Sequence, residues 1–167
     1  MLTLHASCVA ITGAAVLLRG PSGAGKSDLT LRLLDAGAGL VADDRTCLLR
    51  DGDRLIASAP PALRGLLEIR GLGPVSHPAA PPTPLALLID LVSPDNVPRL
   101  PEPRFENVLD VELPCLSLHA FEGSVAVKVR WALARAVAGT LFRPDEIRPE
   151  DIRLGENPIA TRLKRQA

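Results

Sequence analysis

Residues 20–27 read Gly20-Pro21-Ser22-Gly23-Ala24-Gly25-Lys26-Ser27, a complete G-x-x-x-x-G-K-[ST] phosphate-binding loop. Its glycines allow backbone angles that a Cβ disfavours, so successive N–H groups can converge on a polyphosphate. Lys26 supplies a cation for β- and γ-phosphate oxygens, and the Ser27 hydroxyl suits Mg2+. A helix beginning near Ser27 adds the positive end of its dipole. Such a loop needs a partner acid at the end of a buried strand to orient the metal. Two stretches compete for that role. Leu87-Leu88-Ile89-Asp90 is the strongest apolar run closed by an Asp, whereas Leu40-Val41-Ala42-Asp43-Asp44 offers adjacent carboxylates soon after the first helix. At a strand end the backbone can turn, letting one acid of a pair touch metal while the other reaches a substrate hydroxyl.

The flanking residues supply the elements that this loop requires. Ala15-Val16-Leu17-Leu18 suits a buried strand feeding the loop, and Leu29, Leu31, Leu33 and Leu34 give a helix over about 26–36 its apolar face, with Gly37 and Gly39 to stop it. Residues 2–11 and 14–19 read as two strands joined at Thr12-Gly13. Residues 46–50 and 54–57 form a hairpin through Asp51-Gly52-Asp53. A short helix after Pro60-Pro61 leads into Leu66–Ile69. Further strands are expected at 85–91, at about 107–112 and at 114–120, and an amphipathic helix over 124–138 stops at Gly139. Proline groups at 74–84 and 94–103 read as loops, the first either a flap near the nucleotide or a passive connection. The last residues, 154–167, end in a basic tail. Adjacent strands outnumber strand–helix alternations, so the fold class is α/β with a mixed sheet and an antiparallel component.

Composition narrows the function classes. With 167 residues and a hydrophobic share of 47%, one domain spanning 1–167 with one good core is expected. Nineteen basic residues balance nineteen acidic ones, which gives no net field to gather nucleic acid or anionic membrane. Three Phe, one Trp and no Tyr leave few platforms for stacking single strands. The sequence contains neither a signal-like N-terminus nor an apolar run long enough to span a bilayer, so a cytoplasmic setting is expected. Cys8, Cys47 and Cys115 are widely spaced in apolar surroundings and read as core thiols.

One further segment separates the two candidate acids. Leu66-Leu67-Glu68-Ile69-Arg70-Gly71-Leu72-Gly73 carries an E-I-R-G-x-G pattern. Together with His5, the phosphate loop and Leu40-Val41-Ala42-Asp43-Asp44-Arg45, it closely resembles the catalytic domain of HPr kinase/phosphorylase, the bacterial enzyme acting on a serine of the phosphocarrier protein HPr. The resemblance is dense over residues 2–73 and thin afterward. It implies a P-loop kinase fold similar to that of phosphoenolpyruvate carboxykinase, and an ATP- and Mg2+-dependent protein serine kinase, often able also to dephosphorylate by phosphorolysis. Carried over residue by residue, Asp43 matches the catalytic aspartate that accepts the serine proton, Asp44 its metal-orienting neighbour, and His5 the histidine near that acid. Glu68 and Arg70 match signature positions around the site, Glu68 as a contributor to metal binding and Arg70 as a phosphate clamp or a partner of Glu68. The family's hexameric assembly is implied as well.

Two departures qualify what the resemblance implies. Family members carry an additional N-terminal domain, whereas Met1 stands only a few residues before His5, which resembles the short form found in some proteobacteria. The family's later Pro-Gly-Arg-Asn loop, tied to the reverse reaction, has no clear match: Phe121-Glu122-Gly123-Ser124 stands about there without the arginine. The resemblance thus implies kinase activity more firmly than phosphorolysis. Rival readings of the same loop are a small-molecule P-loop kinase and a nucleotide-binding switch without transfer. The first would carry a helical lid with arginines where this chain has proline loops and strands. Against the second stand the intact Lys26, Ser27 and Asp43.

Overall fold

The computed structural model describes residues 1–143, so the basic tail expected over 154–167 lies outside the described residues. The element order is β1 (Leu2–Leu4), β2 (Ala6–Ile11), β3 (Ala14–Arg19), α1 (Lys26–Asp35), β4 (Gly39–Ala42), β5 (Thr46–Asp51) and β6 (Arg54–Ser58). It continues with β7 (Leu66–Ile69), β8 (Gly73–Ser76), β9 (Thr83–Leu91), β10 (Phe105–Val108), β11 (Val111–Leu118) and α2 (Val125–Val137). Nine strands form one sheet in the order β1-β5-β6-β9-β3-β2-β4, with β11 beside β9 and β10 beside β11; β7 and β8 make a separate hairpin.

Strand β9 organises the sheet. One edge runs parallel to β3 from Ala15↔Leu85 to Arg19↔Asp90. The other edge first meets β6 antiparallel at Ile56↔Pro84 and Ala57↔Thr83, then β11 parallel from Cys115↔Leu88 to Leu118↔Leu91. The three parallel strands therefore end together, and the phosphate loop and the 119–124 connection both leave from their carboxyl ends, where open α/β sheets bind ligands. The remaining pairings are antiparallel, as the fold-class expectation required.

Both faces of the sheet are covered, which is why β3 and β9 are apolar at nearly every position. Val16, Leu18, Leu87 and Ile89 face α1 and α2, meeting Leu29, Leu33, Val125, Val129 and Leu133. The alternate residues Ala15, Leu17, Leu85 and Leu88 face the other way, against Leu48, Leu55, Val111 and Leu113. Each fully buried leucine contributes about 1.5–3 kcal/mol of transfer free energy, so the strand bearing the phosphate loop is held from two sides. Helix α2 ends as expected: Gly139 takes φ +67°, while the Gly139 and Thr140 N–H groups donate to Ala136 and Arg135 carbonyls. Cys8 and Cys115 are buried and Cys47 is half-buried; none forms a disulfide. Burial pushes the Cys8 thiol well up, and Cys115 is raised for the same reason.

Two expectations need correction. The strands assigned to 107–112 and 114–120 are instead Phe105–Val108 and Val111–Leu118, with the turn at Leu109-Asp110 rather than near residue 113. Leu109 and Asp110 both sit at positive φ, 51° and 62°, and the Asp110 N–H donates to Asn107 Oδ1 at 3.1 Å. A leucine in a left-handed position gives no turn signal in sequence. The proline group at 74–84 is not all loop either, because Pro74 lies in β8 and Pro84 is the second residue of β9, where it pairs with Ile56 of β6. Among the described residues no helix is long and apolar enough to cross a membrane.

Candidate active site

The phosphate loop joins the end of β3 to the first turn of α1, and its shape depends on glycine. Gly25 caps α1 at φ +92°, and a Cβ there would lie 2.6 Å from Ala120 Cβ and 3.0 Å from the Phe121 ring. Gly20 is equally confined, its would-be Cβ 2.9 Å from Ala24 Cβ and 3.1 Å from the Leu91 carbonyl. Lys26 is buried, and its Nζ donates to the Gly20 and Pro21 carbonyls at 2.8 and 3.1 Å.

A cleft of about 780 Å3 opens over this loop. Its lining brings together the loop residues Ser22, Gly23, Gly25, Lys26 and Ser27, Asp28 and Leu31 of α1, His5 and Asp44, Glu68 to Gly71 with Gly73, and Phe121. The E-I-R-G-x-G segment thus runs from β7 through the hairpin turn into β8, which places it in the lining of the same cleft; the glycines at 71 and 73 take φ of +92° and +87°.

The two adjoining acids part company at the end of β4. Asp43 is only 5% exposed; its Oδ1 accepts from Ser7 Oγ at 2.7 Å and from Ser27 Oγ at 3.2 Å, and its Oδ2 accepts from the Glu68 N–H at 3.3 Å. Asp44 takes φ +62°, which swings its side chain away from Asp43 and out to the cleft wall, where Oδ1 lies 3.0 Å from His5 Nδ1. Both members of that pair are more than half exposed. The contacts therefore differ from the sequence reading, which put His5 beside Asp43 and Ser27 with Asp44. The left-handed turn at Asp44 is the reason, since it separates the two carboxylates.

Both oxygens of the Asp43 carboxylate face the Ser27 hydroxyl, at 3.2 and 3.3 Å, and a hydroxyl beside a carboxylate is a hard-oxygen donor set of the kind that suits Mg2+. Among the described residues there is no group of three or more His, Cys, Asp or Glu that could by itself hold a metal ion. Glu68 is exposed in the cleft lining, its backbone rather than its carboxylate reaching Asp43.

Asp90, the competing acid, is committed elsewhere. Arg19, the residue just before the loop, donates from Nε to Asp90 Oδ1 at 2.8 Å and forks onto Glu106 at 2.6 and 2.7 Å. Arg104 closes the group on the far side, bonding Asp90 and Cys115. Burial pushes the Asp90 carboxyl up, but Arg19 and Arg104 outweigh it and hold it below its usual range; the bonds from Arg19 hold Glu106 low as well. This network, absent from the sequence reading, ties β3, β9, β10 and β11 together at the root of the phosphate loop. Only the register Arg19↔Asp90 reveals it.

Fold and cradle together define a P-loop α/β domain whose ligand cleft lies at the carboxyl ends of its parallel strands. Within that class, residues 1–80 match the family HPr Serine kinase C-terminal domain. HPr kinase/phosphorylases of Burkholderia lata and Burkholderia cenocepacia are each 51% identical over 72 residues, 42% of this chain. The chain matches 22% of the length of those relatives. In three dimensions it resembles the Hpr(Ser) kinase/phosphatase of Coxiella burnetii with a TM-score of 0.71 and 27% identity, covering 87% of this chain and all of that one. The resemblance to HPr kinase/phosphorylases thus holds in sequence over the first half of the chain and in fold over most of it.

Proposed function

We propose that this chain is an ATP-dependent protein serine kinase whose substrate is the phosphocarrier HPr, with residues 1–167 acting as one catalytic domain. The observation that carries the reading is the division of labour at the mouth of the loop: a buried acid on the Ser27 hydroxyl and an accessible, histidine-held acid across the same cleft. The loop N–H groups from Ser22 onward and the Lys26 ammonium hold the phosphates of ATP, and Arg70 provides a further cation in the cleft lining. Mg2+, which Ser27 and Asp43 would hold with Glu68 as a further contributor in the cleft lining, would neutralise charge on the β- and γ-phosphate oxygens.

The contacts favour exchanging the roles drawn from the resemblance. Asp44, open to the cleft, takes the proton of the incoming serine hydroxyl; the serine oxygen forms its bond to the γ-phosphorus, and the bond to the β-phosphate oxygen breaks to release ADP. His5 keeps the Asp44 carboxylate oriented through its 3.0 Å contact. Asp43, which has three donors and does not line the cleft, suits positioning of Ser27 and the metal. Run backward, the same Asp44 in protonated form returns the proton to serine as inorganic phosphate attacks phosphoserine, so the site is chemically able to support phosphorolysis. A cytoplasmic setting and assembly as a homo-oligomer, a hexamer by the family resemblance, belong to the same proposal.

The test is phosphosite mapping on HPr after incubation with this protein, ATP and Mg2+. One phosphoserine is expected. Labelling of a metabolite in its place would favour a small-molecule kinase.

A further inference from the structure

Phe121 is 59% exposed in a chain with only three Phe and one Trp, and it stands on the cleft wall rather than on the outer surface. We propose that its ring is the platform on which the purine base of the bound nucleotide stacks, a subsite that deepens the kinase reading and rests on its premise that the cleft takes a nucleoside triphosphate.

Position is the first argument. The ring lies directly against the phosphate loop, so close that a Cβ on Gly25 would come within 3.0 Å of Cζ and 3.2 Å of Cε1. Leu31, 37% exposed, also lines the cleft and adds apolar surface to it. A triphosphate seated in the loop must lead its nucleoside out along one wall. The lining is otherwise rich in polar and charged groups, Asp28, Asp44, His5, Glu68 and Arg70 among them; Phe121 is its one Phe, Tyr or Trp, and it offers a flat aromatic face to a flat base.

Rigidity is the second. Arg32 of α1, paired with Asp28, donates to the carbonyls of Ala120 and Glu122 on either side of Phe121. Lys128 and Ser124 hold the Glu122 carboxylate. His119, whose Nδ1 is 2.9 Å from the Val92 carbonyl, packs edge-to-face on Phe121 with centroids 5.7 Å apart. The ring is thereby fixed before any ligand arrives, which spares binding the entropy of ordering it.

The experiment separates base from phosphate by using two probes, ATP and inorganic tripolyphosphate, each titrated calorimetrically with Mg2+ into the whole protein. Phe121→Ala should weaken ATP roughly tenfold and leave tripolyphosphate unchanged, as alanine replacement of a stacking aromatic does. Phe121→Trp, made with Trp131→Phe to remove the native indole, should keep ATP affinity and show fluorescence quenching with ATP but not with tripolyphosphate. Equal ATP affinity in Phe121→Ala, or equal loss for both probes, overturns the proposal, as does a variant in which only the KM for HPr rises, since that would make Phe121 a protein-docking residue. If HPr is never labelled yet ATP alone is weakened, the platform stands and the kinase reading falls. If wild-type protein binds neither probe, both fall.

Discussion

Replacing the two adjoining acids one at a time should separate chemistry from architecture. In Asp44→Asn the shape is kept and the base is lost. The only bonded partner of its carboxylate among the described residues is the exposed His5, and an exposed pair of this kind contributes about 0–1 kcal/mol, so the melting temperature should move by no more than about 3 °C. Removal of a general base costs about 10^2 to 10^4 in kcat. In Asp43→Asn the side chain is buried with three donors pointing at it, from Ser7, Ser27 and the Glu68 backbone. An amide turns one acceptor into a donor that faces another donor, at about 1–3 kcal/mol, or roughly 6 °C for the middle of that range. Thermal unfolding together with label transfer from ATP to HPr reads both quantities, and ATP binding by titration should survive in Asp44→Asn. If Asp44→Asn keeps activity within about threefold while Asp43→Asn loses transfer at unchanged stability, the assignment argued from burial is refuted and Asp43 is the base.

Other substitutions test the frame around these acids. Gly25→Ala forces a Cβ into Ala120 at a left-handed φ and should cost about 3 kcal/mol, whereas Gly23→Ala, left-handed but with open space, should cost about 1 kcal/mol; comparative unfolding checks both. Arg19→Met leaves Asp90 and Glu106 without their main cation and should destabilise by about 2 kcal/mol at neutral pH. Because both carboxyls are held below their ordinary values of 3.8 and 4.5, the stability they lend is present above about pH 5 and drains as pH falls through and below that range. The melting temperature of Arg19→Met should therefore fall less steeply in acid than that of the wild type, and parallel curves would contradict the network's role. Asp90→Asn should lower stability while leaving transfer on the folded protein within a few-fold, as expected of an acid that braces the loop rather than reacts.

Much of the fold was legible in the sequence because local rules and tertiary demands coincide. The apolar run at 15–18, the glycines of the loop and the leucine spacing of α1 each point to the element found. Proximity of His5, Lys26, Asp44 and the E-I-R-G-x-G segment was implied by the family resemblance, and the cleft joins them. What stayed hidden depends on single dihedrals or on long-range register. No local signal places Leu109 or Asp44 at positive φ, yet the first moves a hairpin turn and the second decides which acid faces the cleft. Asp90 read as a rival metal acid because its run of apolar residues is the cleanest in the chain. Pairing across 71 and 14 residues with Arg19 and Arg104 removes it from the chemistry.

The most direct test of the account is the stoichiometry and site of phosphate transferred from ATP to HPr by the wild type and by Asp44→Asn, read by mass spectrometry. The account predicts a single phosphoserine with the wild type and almost none with the variant. Undiminished phosphoserine with Asp44→Asn, or transfer to no protein at all by the wild type, would contradict it.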